Sequence, residues 1–285
     1  MLGYYPGCTV RAQKEDGFEQ ESLAILAAFG VQVQELEEWE CCGAVYPMGQ
    51  DEYVGLLAPV RALNQTEEEE REGLLTLCSA CYHVLKRVNV RMEQDKEARS
   101  RVGNYLETDY KGQTPVYHLM EVLRDMVGFD GLKEQVTEPL KGEKIASYYG
   151  CLFLRPQKEI NLVDGENPRL MEDMVRALGG EPVTYPYSTD CCGSYHTCQE
   201  EGVSRQMSLK LVESAKKAGA TQMITACPLC KYNLEKCQEK LDLDERLSIN
   251  YMTVPIVQAM GGMNALERKG EAHAHSAENS SRSSA

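Results

Sequence analysis

The sequence predicts an α/β chain made of two pseudo-symmetric, cysteine-rich halves, each a small, mainly parallel sheet flanked by helices. Two observations carry this. First, ten of the twelve cysteines fall into two copies of one pattern: Cys8, Cys41-Cys42-Gly43, Cys78 and Cys81, then Cys151, Cys191-Cys192-Gly193, Cys227 and Cys230. The opening cysteine stands 33 residues before the pair in one copy and 40 in the other, and the pair stands 36 and 35 residues before the final Cys-x-x-Cys. Second, strand-like apolar runs alternate with helix-like segments. Each cysteine group follows the C-terminal end of such a run, where ligands collect beyond a parallel sheet.

Taken in order, each half opens with a short apolar segment ending in Gly-Cys, residues 2–8 and 145–151, which predicts a buried strand presenting a thiol. Helices are predicted over 18–29, stopped by Gly30, and over 169–178, stopped by Gly179-Gly180. Asn167-Pro168 is expected to supply the N-cap and first-turn proline of the second of these. Strands over 31–36 and 182–187 lead to Cys-Cys-Gly. Helices near 51–64 and 203–218 follow, and strands over 73–77 and 221–226 run into Cys-x-x-Cys. Residues 82–140 read as mostly helical, with helices over 82–91 and from Thr114-Pro115 to Val127. The run Glu67 to Glu70 reads as solvated. The expected boundaries are 1–140 and 141–266, with a disordered tail over 267–285 that lacks periodicity. His273 and His275 lie in that tail, and a mobile tail makes a poor metal site.

Composition excludes several classes of function. A net charge of −14 and a pI near 4.9 argue against a nucleic-acid partner, which needs clustered Lys and Arg. No apolar run is long enough to span a membrane, so an integral membrane protein is not expected. No export signal is visible, so a reducing cytoplasm is the expected compartment, where patterned cysteines point to metal or redox chemistry rather than disulfides. There is no Gly-x-Gly and no P-loop, so a flavin or nicotinamide bound by that route is not expected. The closely spaced ferredoxin run ending in Cys-Pro is also missing. Electrons are therefore expected from another polypeptide of a complex.

Each half offers five thiolates. Zinc takes four ligands in a tetrahedron, and a cubane four-iron cluster also takes four. Five could serve four irons if one sulfur bridges two of them, and adjacent cysteines could supply a bridging and a terminal thiolate. An iron–sulfur cluster of unusual shape and zinc with a spare cysteine both stay open on count alone. Arg11, three residues after Cys8, and Arg155, four after Cys151, are candidate anchors for an anionic substrate.

The repeated pattern resembles the cysteine-rich CCG domain family, and within it the B subunit of heterodisulfide reductase. Tyr4-Tyr5-Pro6-Gly7-Cys8, Tyr148-Tyr149-Gly150-Cys151 through Arg155-Pro156, Asn167-Pro168 and Ala226-Cys227-Pro228-Leu229-Cys230 carry the resemblance over residues 1–262. It implies two non-cubane [4Fe-4S] clusters, one held by Cys8, Cys41, Cys42, Cys78 and Cys81, the other by Cys151, Cys191, Cys192, Cys227 and Cys230. It implies reduction of a small disulfide, such as the mixed disulfide of coenzymes M and B, to two thiols. It also implies two partners, a ferredoxin-like C subunit and a flavin-containing A subunit. Related domains serve lactate- and quinone-linked complexes, so an electron relay without a disulfide substrate is the competing reading, and a zinc-stabilised binding module a third. Methanogen relatives tend to carry histidine after the cysteine that opens the second half, where this chain has Leu152. His196 is the candidate proton donor in its place. Cys198 and Cys237 have no counterparts in the first half.

Overall fold

The computed structural model describes residues 1–12, 17–44, 53–163 and 166–283, with side chains as far as 275. The first half runs β1 (Leu2–Tyr5), α1 (Cys8–Ala12), α2 (Phe18–Ala28), β2 (Val33–Glu35), α3 (Val54–Glu68), β3 (Leu74–Thr76), α4 (Ser79–Gln94), α5 (Lys96–Leu106), β4 (Val116–His118), α6 (Leu119–Val122), a π turn (Leu123–Val127) and α7 (Phe129–Glu134). The second runs β5 (Lys144–Tyr148), α8 (Gln157–Ile160), α9 (Leu170–Ala177), β6 (Glu181–Val183), α10 (Glu201–Lys217), β7 (Gln222–Thr225), α11 (Pro228–Lys236), β8 (Ser248–Tyr251), α12 (Thr253–Ala259) and α13 (Met263–Ser283).

The predicted fold class holds. Each half has a four-stranded, all-parallel sheet, and the order is the same in both: β2-β1-β3-β4 and β6-β5-β7-β8. The chain leaves the first strand of each sheet in one direction and returns on its other side, which makes a switch point between β1 and β3 and again between β5 and β7. Their carboxyl ends lie level, Tyr5 beside Thr76 and Tyr148 beside Thr225. An open parallel sheet leaves a crevice at such a point. The chain places Cys8 and Cys78 just beyond the first pair, and Cys151 and Cys227 just beyond the second.

Three expectations are corrected. A fourth strand closes each sheet: β4 occupies part of the stretch read as a helix from 114, and β8 was not expected. The helix after Asn167-Pro168 begins at Leu170, with Arg169 at the cap position and no side-chain cap. The helix expected near 51–64 is observed as α3, and Asp51 and Glu52 lie outside the described residues. The tail from 267 is not structureless: it continues α13, which packs along α2 of the opposite half. A Cβ on Gly270 would lie 3.0 Å from Ala27 Cβ, so the glycine permits close approach where any side chain would push the helices apart.

The halves share one apolar core. Each sends elements onto the other: α12 and α13 onto α2, and α7 onto α9. Phe18 stacks on Tyr251 with ring centroids 4.0 Å apart, and Phe153 meets His118 at 4.5 Å. This exchange presses the two switch points together.

Candidate redox centre

The Cys-x-x-Cys of each half forms the first turn of a helix. Cys78 is the N-cap of α4 and Cys81 its third helical residue; Cys227 is the N-cap of α11, followed by Pro228 at the first position and Cys230 at the third. A helix N-terminus carries partial positive charge and unpaired N–H groups, so it favours thiolate over thiol. Two buried tyrosines at matching positions carry the Cys-Cys segments in. Tyr5 donates to Glu40 O and Tyr148 donates to Asp190 O at 2.7 Å, the carbonyls just ahead of Cys41 and Cys191.

The predicted thiols converge in each half. Cys8 and Cys41 sulfurs are 3.5 Å apart, and Cys42 and Cys81 sulfurs 3.3 Å. In the second half Cys192 and Cys230 sulfurs are 3.6 Å apart, Gly193 N–H reaches Cys191 Sγ at 3.3 Å, and Cys151 lies near enough to Cys191 to lower its pKa. Cys42, Cys78, Cys81, Cys192, Cys227 and Cys230 are buried, Cys151 and Cys191 half-buried, and Cys8 and Cys41 exposed. None is in a disulfide. Gly7, with φ +73°, is where the backbone passes closest: a Cβ there would come within 2.7 Å of Cys81 Sγ.

The sulfurs cannot all ionise unaided. Hydrogen bonds from Cys227 and Cys81 hold Cys78 well below the usual thiol range. Cys191 is held at about 2 by hydrogen bonds from Cys151 and Cys192, with Gly193 N–H and the charge of His196 adding to it. Their partners move the other way. Cys81 is driven up first by its bonds to Cys42 and Cys78 and then by burial, and Cys192 reaches about 11 through its contact with Cys191. Each set is thus a mixture of thiolates and the thiols that solvate them. Full deprotonation of five touching sulfurs requires added positive charge. An all-sulfur donor set with a pinned, glycine-relieved backbone and no disulfide fits an iron–sulfur group.

The two sets also meet. Cys78 and Cys227 lie near enough across the halves for each to affect the other's ionisation. Ser79 Oγ donates to Ala226 O at 3.1 Å beside them. Tyr195 O–H donates to Ala44 O at 2.7 Å, tying one Cys-Cys-Gly loop to the other. Burial first, then the nearby Cys151, Cys42, Cys191 and Cys227, raise its pKa, so the phenol stands among sulfurs of both sets. Sequence reading passed over Tyr195, because its partner is 151 residues away. It chose the neighbouring His196, which is exposed and close enough to bias Cys191.

The remaining predicted residues separate. Arg11 pairs with Glu35 and, at 3.4 Å, with Glu19, so its charge is already met within the fold. Arg155 is exposed and donates to Thr189 O at 2.8 Å, with no ion pair among the described residues. Cys237 is buried away from both sets and donates to Leu234 O, and Cys198 is exposed. His83, which was not singled out, places Nδ1 3.2 Å from Leu152 O, so an imidazole reaches the residue that follows Cys151.

The cysteine-rich domain model, CCG, matches residues 2–86 and again 145–235, covering every converging thiol. The chain belongs to the CCG cysteine-rich domain family. Among curated relatives, the membrane anchor subunit of 8-methylmenaquinol:fumarate reductase from Wolinella succinogenes is 32% identical over 84% of this chain and 83% of its own length. The B subunit of ferredoxin:CoB-CoM heterodisulfide reductase from Methanosarcina mazei is 27% identical over 90% of this chain and 85% of its own. A protein from Archaeoglobus profundus, described as like the B subunit of heterodisulfide reductase, is 26% identical over 90% and 88%. A solved structure of a hypothetical protein from Helicobacter pylori superposes with a TM-score of 0.73 at 11% identity; it covers 93% of this CCG chain, which spans 50% of that one, and the likeness concerns the fold alone. Although one relative is called a membrane anchor, no helix among the described residues is long and apolar enough to cross a membrane.

Proposed function

We propose that this CCG protein is the iron–sulfur subunit of a heterodisulfide reductase-like complex, and that it reduces a small disulfide to two thiols. The observation that carries the reading is that the two sulfur sets meet: Ser79, next to Cys78, donates to Ala226 O, next to Cys227, at 3.1 Å, and Tyr195 ties one Cys-Cys-Gly loop to the other. Disulfide cleavage takes two electrons and two protons and yields two thiols, whereas an iron–sulfur cluster supplies one electron at a time. Two such groups side by side can deliver both electrons without the donor having to return between the two steps.

In this reading Cys8, Cys41, Cys42, Cys78 and Cys81 hold one cluster, and Cys151, Cys191, Cys192, Cys227 and Cys230 hold the other. The residues around them have separate tasks. The helix N-termini beneath Cys78 and Cys227 favour the thiolate ligands. Tyr5 and Tyr148 fix the loops that carry Cys41-Cys42 and Cys191-Cys192. Tyr195, hydrogen-bonded across the junction, is placed to donate to a departing sulfur, and exposed His196 can return a proton from solvent. Arg155 is the remaining anchor for an anionic substrate. Electrons come from a ferredoxin-like partner and a flavin-containing partner of the same complex.

A second reading has its own support. The relative at 32% identity is named as part of a quinol:fumarate reductase, which fits a relay between quinol and a neighbouring polypeptide without a disulfide. One experiment separates the two. The anaerobically purified complex is reduced, then offered a panel of small disulfides or a menaquinone analogue. Disulfide reduction predicts reoxidation with two thiols released per disulfide. Reoxidation by the quinone alone moves the assignment to the relay. In the first case Tyr195→Phe is expected to lower kcat with KM little changed.

A further inference from the structure

His118 ends β4 in the first half and is wholly buried. Its Nδ1 accepts Met120 N–H at 3.2 Å, so the ring proton sits on Nε2, which donates to Leu77 O at 2.9 Å. Glu121 completes the cap by accepting His118 N–H at 3.0 Å, which leaves the imidazole little freedom. Ala226 O of the other half, which Ser79 Oγ reaches at 3.1 Å, lies beside the ring. Leu77 and Ala226 are the residues immediately before Cys78 and Cys227, the two thiols that affect each other across the junction. Phe153, two residues after Cys151, packs on the ring with centroids 4.5 Å apart. One imidazole therefore holds the backbone ahead of one junction thiol, lies beside the backbone ahead of the other, and packs on a side chain from the segment of a third.

The tie is one-sided. Ser79, which donates to Ala226 O, and His118, which lies beside it, both come from the first half. The positions that match them in the second half are Pro228, which has no donor, and Tyr251, which stacks on Phe18 instead. The duplicated chain has kept its symmetry at the thiols and departed from it at the device joining them.

We propose that His118 is a positioning residue that fixes the separation of the two sulfur sets, and through it the passage of electrons between the halves. The electron-passage part rests on the iron–sulfur reading above; the spacing part does not. A neutral imidazole with its proton on Nε2 is a rigid, planar spacer between the Leu77 carbonyl of one half and the Phe153 ring of the other. Loss of the donor leaves the Leu77 carbonyl without it, and a buried carbonyl seeks another partner. The Cys78 and Cys227 segments then move apart or slip.

The test uses His118→Leu, which removes both ring nitrogens, and His118→Gln, which returns an amide N–H near the Nε2 position. The full-length chain is loaded anaerobically and reduced. Electron paramagnetic resonance then reads the magnetic interaction between the halves. The expected result is full iron with the interaction lost or altered in H118L and restored in part in H118Q. A second arm does not depend on iron. Full-length, metal-stripped, reduced chain is treated with dibromobimane, and bridged cysteines are mapped by mass spectrometry. Bridging of Cys78 to Cys227 is expected in the native chain and lost in H118L. If H118L does not fold, Ser79→Ala, which removes the side-chain donor to Ala226 O, is expected to weaken the same bridge. An unchanged magnetic interaction and an unchanged bridge overturn the role of His118. A native chain without iron overturns the iron–sulfur reading instead, and the bridging arm still decides whether His118 sets the spacing.

Discussion

Replacing Gly7 with alanine perturbs the sulfur cradle at its tightest point. Gly7 has φ +73°, and an L-residue in that conformation costs about 1–2 kcal/mol. The added Cβ would lie 2.7 Å from Cys81 Sγ, a contact that real Cβ atoms do not make. Cys81 is buried in the first turn of α4 and has nowhere to retreat, so overpacking adds about 1–3 kcal/mol. Gly7→Ala should therefore lose about 2–5 kcal/mol. The matching Gly150 is a built-in control. Its φ is +69°, but its Cβ would stand 3.3 Å from Cys230 Sγ, so the loss should stay near the backbone cost of about 1–2 kcal/mol. Urea unfolding of the reduced, metal-free variants gives both values from the midpoint and slope. In metal-loaded protein, Gly7→Ala should lose iron from the first set, leaving roughly half of the native iron if each set holds four, while Gly150→Ala should keep nearly all. Equal destabilisation of the two variants, with full iron in both, would refute the geometry from which the cradle is argued.

Further outcomes follow from the same structure. Burial pushes the Cys237 thiol to about 12 from its ordinary 9.0. The stability that belongs to its protonated form is fully present below about pH 9 and is lost as pH rises towards about 12, roughly 2–4 kcal/mol in all. Cys237→Ala should flatten that alkaline slope in a pH series of unfolding curves without changing iron content. Arg11→Gln should leave KM for a disulfide unchanged and cost under about 1 kcal/mol, because its partners are Glu19 and Glu35. Arg155→Gln should raise KM if Arg155 anchors substrate, and an unchanged KM removes it from the site. Gly270→Leu should destabilise by about 1–3 kcal/mol by wedging α13 from α2, despite better helix propensity; unchanged thermal unfolding would show that α13 is dispensable to the core.

The ten thiols and their placement at strand ends were legible because covalent spacing carries them: a strand, a glycine and a cysteine leave little choice about where the sulfur emerges. The same holds for the Cys-x-x-Cys turns, since cap and third position are fixed by local geometry. What was not legible depends on distant partners. β4 and β8 are strands of three and four residues, too short to show alternation, and become strands only by adding to β3 and β7. α13 looks like a polar tail, and its order comes from the small-residue contact of Gly270 with Ala27. Arg11 looked available because Glu35, 24 residues on, is not local to it. The Tyr195 bond to Ala44 and the His118 contact with Phe153 come from the docking of one half on the other, which single-sequence patterns do not carry.

The central claim is that each half closes five sulfurs around iron. It is tested most directly by counting iron, zinc and acid-labile sulfide in the anaerobically purified native chain and in Cys81→Ala and Cys230→Ala. The account predicts about eight irons and a matching sulfide content in the native chain, falling by about half in either variant. A folded native chain that is colourless and holds only zinc, or no metal, contradicts it.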